Sequence, residues 1–255
     1  MADQLYLSLW FPNFRFEALP AALISVLRQF ALISGSLEKP ENAAAKRVTA
    51  ATVYPINFTE SPTYQRLFVN DSRSEDNSDS IIENAVAEAT EHLHDDMAVE
   101  FEMRWNLWSP ELESMASRRI ASDEELDAEL DANDSDESAS SAQLDPLWKL
   151  RPSTVRFLGF GPQFDDAGFE QNGHIRVDFG LDTPWVMEET LDDEELLEDE
   201  DLKALAQKRI QQNIEMLLAF TLSVEKHCGI SSRLLWTESG EPLAEKLIAR
   251  LQRLN

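Results

Sequence analysis

Asp201–His227, DLKALAQKRIQQNIEMLLAFTLSVEKH, is the longest helical pattern in the chain. Leu202, Leu205, Ala206 and Ile210 recur at helical spacing on one face, opposite Lys203, Lys208 and Gln211. From Ile214 to Val224 the pattern becomes apolar nearly all round, with Met216, Leu217, Leu218, Ala219, Phe220 and Leu222 distributed about the axis. A helix apolar on every side is ordinarily a buried spine. At 1.5 Å per residue it would be about 40 Å long, roughly one domain across. Gly229 is placed to end it, since glycine takes the left-handed conformation that closes many helices.

Working outward, Arg233–Thr237 reads as a short buried strand, and Pro242–Leu254 as a closing helix with Leu243, Leu247, Leu251 and Leu254 on one stripe. Before the spine, Ile175, Val177 and Phe179 alternate with Arg176 and Asp178 in a strand His174–Phe179. Val155–Phe160 is another strand, ended by Gly161-Pro162. The clearest strand lies earlier: Val99, Phe101, Met103, Trp105 and Leu107 alternate with Glu100, Glu102, Arg104 and Asn106, so one face is buried and one is wet. Ser109-Pro110-Glu111 then reads as a helix start leading into Leu112–Ile120. Further back come a strand Leu5–Phe11, a helix Phe16–Ile33, strands Val48–Ile56 and Thr63–Asn70, and a helix Ile81–Leu93 capped by Ser80.

These elements predict an α+β protein of antiparallel sheets covered by helices. The first half runs strand, helix, strand, strand, helix, strand, which is the ferredoxin-like element order. That match of order carries no function. The expected organisation is two packed subdomains, residues 1–121 and 146–255, the second built on the long helix, joined by a flexible acidic linker at 122–145. The alternative is that both halves contribute strands to one larger sheet.

The chain has 255 residues and a formal net charge of −26. With 43% hydrophobic residues it can bury a real core. The charge is segmental. Ser122–Asp145 holds ten acidic residues and Glu188–Asp201 another ten, with no Lys or Arg in either. The remaining 28 acids face 22 bases, an ordinary balance. The excess argues against direct binding to nucleic acid or an anionic membrane, where a basic stripe is expected. It permits a basic protein partner, and equally simple solubility. The single cysteine, Cys228, excludes an intrachain disulfide and a multi-cysteine metal site. No basic segment opens the sequence and no apolar run approaches about 20 residues, so a cytoplasmic location is expected.

Candidate chemistry is sparse. His92 and His94 have metal-ligand composition, but i, i+2 spacing on a helix turns the rings about 160° apart, and a helix C-terminus accounts for both. His227-Cys228 are adjacent on a helix and diverge by about 100°, too far for a nucleophile and its base. His174, Asp178, Asp182 and Glu238 form the one set that could hold Mg²⁺ for phosphoryl or nucleotide chemistry, provided their strands are neighbours. The plainer reading is the wet face of a half-exposed strand. No phosphate-binding glycine loop, Gly-x-Ser-x-Gly elbow or His-Glu-x-x-His motif occurs. Of six tryptophans, Trp10 and Trp108 fall off the apolar alternation and are the candidates for an exposed interface patch.

The reading that follows is a non-enzymatic cytosolic binding protein, of inhibitor or immunity type, that masks a basic protein partner and needs no cofactor. A metal-assisted hydrolase or phosphoryl enzyme, and a structural subunit of a larger assembly, are the alternatives.

Overall fold

A computed structural model describes residues 3–34, 50–55, 65–67, 78–110, 148–164, 173–186 and 200–240. The expected helices Leu112–Ile120 and Pro242–Leu254, and both acidic runs apart from the start of the long helix, lie outside the described residues. The strands are β1 (Gln4–Trp10), β2 (Ala50–Pro55), β3 (Gln65–Leu67), β4 (Met97–Pro110), β5 (Trp148–Phe160), β6 (Ile175–Leu181) and β7 (Ser232–Thr237). The helices are α1 (Leu19–Ser34), α2 (Ser78–Thr90), the short α3 (Thr183–Val186) and α4 (Glu200–His227). A 3₁₀ turn, Phe16–Ala18, leads into α1. Ser80, expected to cap α2, sits inside its first turn instead.

The α+β class is as the sequence predicts, but the halves do not form two subdomains. All the described strands join one seven-stranded sheet in the order β3-β2-β4-β5-β6-β1-β7, and every neighbouring pair is antiparallel. β1, from the start of the chain, is held between β6 and β7, from its end. The ferredoxin-like element order is therefore not a ferredoxin-like sheet, because β5 and β6 stand between β1 and β4. Leu5, Leu7 and Leu9 are fully buried, and the backbone polar groups of β1 are paired with a strand on either side.

The connections decide where the helices lie. With antiparallel neighbours throughout, β1 and β2 run the same way, β3 and β4 run parallel with β2 between them, and β6 and β7 run parallel with β1 between them. Each pair is joined by a helical crossover, and right-handed crossovers put α1, α2 and α4 on the same face. α1 accordingly packs against both α2 and α4. Beneath them Phe30, Trp105, Phe157, Phe179, Trp185 and Phe220 form the centre of the core, with ring centroids such as Phe30–Trp105 at 5.2 Å and Trp105–Phe179 at 5.4 Å. Each such large apolar side chain contributes about 1.5–3 kcal/mol on burial.

Two helices differ from expectation. α4 is a covering helix rather than a spine: Met216, Leu217, Phe220 and Val224 face the sheet, while Leu218 and Leu222 are 47% and 56% exposed. Phe16–Ser34, contrary to the expectation that no apolar run approaches such a length, is long and apolar enough by length and composition to cross a membrane. Here Leu19, Leu23, Val26, Leu27 and Phe30 of that stretch are buried in the core. Leu19 and Leu23 fill the space that a side chain at Gly159 would take.

β4 and β5 form the longest ladder, from Ala98↔Phe160 to Pro110↔Trp148. The acidic run at 122–145, itself outside the described residues, thus falls in the sequence that connects two paired strands. Among the described residues β2 pairs with β4 as far as Glu102. Beyond it α4 takes over the edge. The buried side chain of Asn213 accepts the Trp108 N–H at 2.9 Å, and its Nδ2 donates to the Trp108 carbonyl at 2.9 Å and the Pro184 carbonyl at 2.8 Å. One amide side chain here substitutes for a neighbouring strand.

Candidate functional site

With the helices on one face, the opposite face of the sheet carries the alternate residues: Tyr6, Ser8 and Trp10 on β1, Glu100, Glu102, Arg104 and Asn106 on β4, Arg156 and Leu158 on β5, Arg176 and Asp178 on β6, and Leu234 and Trp236 on β7. Most are partly or fully exposed. Trp236 lies across the buried Ser8, donating its indole N–H to Ser8 Oγ at 3.0 Å, and packs on Tyr6 with centroids 4.6 Å apart. The Arg176 guanidinium sits 5.3 Å from the Tyr6 ring centre and 5.2 Å from that of Phe160. Aromatic faces attract such cations through their quadrupole. Burial, together with Asp178, Glu238 and Asp3 nearby, holds the Tyr6 hydroxyl above its usual range.

A bulge shapes this region. The β1–β6 register shifts between Leu5 and Tyr6, and Gly180 supplies the positive φ of 81° that the irregularity requires. Phe179 is thereby kept in the core while Asp178 stays on the open face, where it accepts the Gly180 N–H at 2.8 Å and Gln4 Nε2 at 2.9 Å and lies 3.7 Å from Arg156.

The four residues read as a metal set are not gathered. His174 lies at the end of β6 that neighbours Leu9, and Asp178 is four residues along the strand, about 13 Å away. Asp182 is buried and accepts the Asp3 backbone N–H at 2.9 Å, while its own carbonyl starts α3. Glu238 is exposed beyond β7, its N–H bonded to the Gln4 carbonyl. Among the described residues no three His, Cys, Asp or Glu side chains converge as ion ligands would. The strand alternation correctly placed His174 and Asp178 on one face, but a shared face is not a shared site.

His174 has a different set of contacts. Its Nδ1 accepts the Phe11 backbone N–H at 3.0 Å, and its ring stacks on Phe14 at 4.1 Å and 11°. His92 and His94 are exposed just past α2. Cys228 is half-buried, with burial pushing its thiol up despite a hydrogen bond with Ser25.

The two tryptophans proposed as one patch are also apart. Trp10 pairs with Ser232 near the level of Ala98, ten residues down the sheet from Trp108, or about 33 Å along the strand direction. Trp10 remains on the open face. Trp108 instead packs beside Trp148, Ala206 and Ile210, with the Arg209 guanidinium 3.6 Å from its ring centre. Sequence reasoning missed Trp236, taken as part of a buried strand, because β7 is an edge and half-exposed. It also missed Asn213, whose signal was one amide within the apolar stripe of Ile210, Leu217 and Phe220.

No protein-family model, curated protein or solved structure matches the chain.

Proposed function

We propose that this is a non-enzymatic binding protein whose recognition surface is the open face of the sheet. The observation that carries the reading is the segregation of the three long helices among the described residues to the other face. Among those residues the opposite surface bears Tyr6, Trp10, Trp236, Arg104, Arg156 and Arg176. Tyr, Trp and Arg are the residue types enriched at protein interfaces and at their energetic centres. Small ligands, by contrast, favour concave apolar pockets. The described charges on this face are mixed, Glu100, Glu102 and Asp178 against three arginines, so they orient a partner rather than attract one from afar. Long-range attraction is assigned to the two acidic runs, which favour a basic protein and speed its encounter at low salt.

The test is affinity capture with the wild type, a sheet-face variant (Arg104→Glu with Trp236→Ala) and a helix-face control (Lys208→Glu), each at low and high salt. A basic protein held by the wild type and the control, lost from the face variant and released by salt, supports the reading. Capture of the same protein by the face variant would remove the sheet face from it.

A subunit of a larger assembly is the second reading, favoured by Leu32, Leu218 and Leu222, all exposed on the helical side. A monomer in sedimentation at high concentration counts against self-assembly through those leucines.

A further inference from the structure

We infer that His174 is an acid-sensitive latch on the turn that joins β1 to α1. The turn leaves the sheet at Trp10, passes through Asn13 at a positive φ of 50°, and delivers the chain to the 3₁₀ turn at Phe16. His174 ties it down at several points. Its backbone N–H donates to the Leu9 carbonyl at 2.9 Å, its carbonyl accepts the Phe160 N–H, and its Nδ1 accepts the Phe11 N–H. The ring lies face to face with Phe14.

The bond to Phe11 fixes the chemistry. A nitrogen that accepts a backbone N–H has no proton of its own, so the imidazole is neutral with its proton on Nε2. Adding a proton to Nδ1 sets one N–H against another, and the bond is lost. Among the described residues, the ionisable side chains on the elements around the ring are Arg15 in the turn, Arg176 two residues along β6 (engaged with Tyr6 and Phe160) and Asp95, whose carbonyl holds the Gln163 N–H beyond β5. Burial lowers the ring's affinity for a proton. The sign follows. With its folded value depressed below 6.5, His174 contributes stability that is present above that pH and lost as pH falls through the folded value. At neutral pH the turn is latched, and in mild acid it is released from Phe11 while the Leu9 and Phe160 backbone bonds still hold β6 in place.

The experiment is NMR on the full chain between pH 7.5 and pH 5, following the His174 ring nitrogens and the hydrogen-exchange protection of the Phe11 amide. The expected result is an Nε2–H tautomer at neutral pH, titration below the ordinary histidine value, and a fall in Phe11 protection of roughly tenfold with the same midpoint, the equilibrium worth of one hydrogen bond. In His174→Asn the side-chain oxygen can still accept the Phe11 N–H but does not titrate, so protection should stay level across the range. Phe11 protection that is unchanged while His174 titrates would overturn the latch. So would an equal fall in the asparagine variant.

Discussion

Replacing Asn213 tests whether a single amide completes the edge of β4. Asn213→Ala removes all three side-chain hydrogen bonds and leaves the Trp108 N–H, the Trp108 carbonyl and the Pro184 carbonyl without their partner. A buried polar group stranded in this way costs about 1–3 kcal/mol. Trp108 and Pro184 are partly exposed, so water recovers some of that, and the expected loss is about 3–4 kcal/mol. Asn213→Asp is the sharper probe. It keeps the acceptor for the Trp108 N–H but turns an acceptor oxygen toward two carbonyls, and buries a charge without a counter-ion. Its carboxyl should therefore titrate above the usual range, so the folded state holds the proton more tightly than the unfolded chain. Measured against the wild type, the aspartate variant must then recover stability as pH falls from 7.5 to 4.5, when its protonated oxygen can donate to one of the carbonyls. Urea unfolding followed by tryptophan fluorescence at both pH values gives each difference. An alanine variant losing less than about 1 kcal/mol, or an aspartate variant with the same deficit at both pH values, would refute the strand-substitute role.

Other outcomes follow from the same geometry. Residues 1–121 and 146–255 expressed apart should each fail to fold and regain native circular dichroism only on mixing, because β1 completes its hydrogen bonds between β6 and β7; independent folding of either piece contradicts the shared sheet. Removing residues 122–145 shortens the hairpin connection from 37 residues to 13 and should raise stability by about 1 kcal/mol through loop closure, read as the urea midpoint. Trp105→Ala should cost about 3–5 kcal/mol, since the indole is fully buried among Phe30, Phe179 and Trp185. The Tyr6 hydroxyl, held above its ordinary value of 10.0, keeps its proton in the folded state after the unfolded chain has lost it. Tyr6→Phe should accordingly lessen the loss of stability as pH rises above 10, and unchanged alkaline unfolding would count against the burial described.

Local periodicity carried most of the element assignments. The alternation at Val99–Leu107, the apolar stripe of α1 and the extent of α4 are all legible because each is written within a few residues. Strand order is not written locally. Nothing near Leu5 specifies Val177 and Leu235 as its neighbours, and nothing near Pro110 announces Trp148 as its partner. An acidic, low-complexity stretch between two ordered halves has the same composition whether it joins domains or interrupts a hairpin, which is why residues 122–145 read as a linker. All-round apolarity over Ile214–Val224 suggested a buried spine because propensity cannot tell a packed leucine from a tolerated exposed one; Leu218 and Leu222 are the latter. The candidate metal set failed on distance along β6, and the Trp10 and Trp108 pairing failed on register.

The position of β1 also has a consequence during synthesis. β1 is translated well before its two neighbours, β6 and β7, with β2 to β5 lying between them in the chain. At the usual 5–20 residues per second, roughly ten to fifty seconds separate the emergence of Leu5, Leu7 and Leu9 from that of Trp236. Throughout that interval an apolar strand without its native neighbours is exposed to solvent and to other nascent chains. The yield of this protein in the cell should therefore depend on elongation rate and on chaperones that shield its first strand, even under conditions where the finished fold is stable.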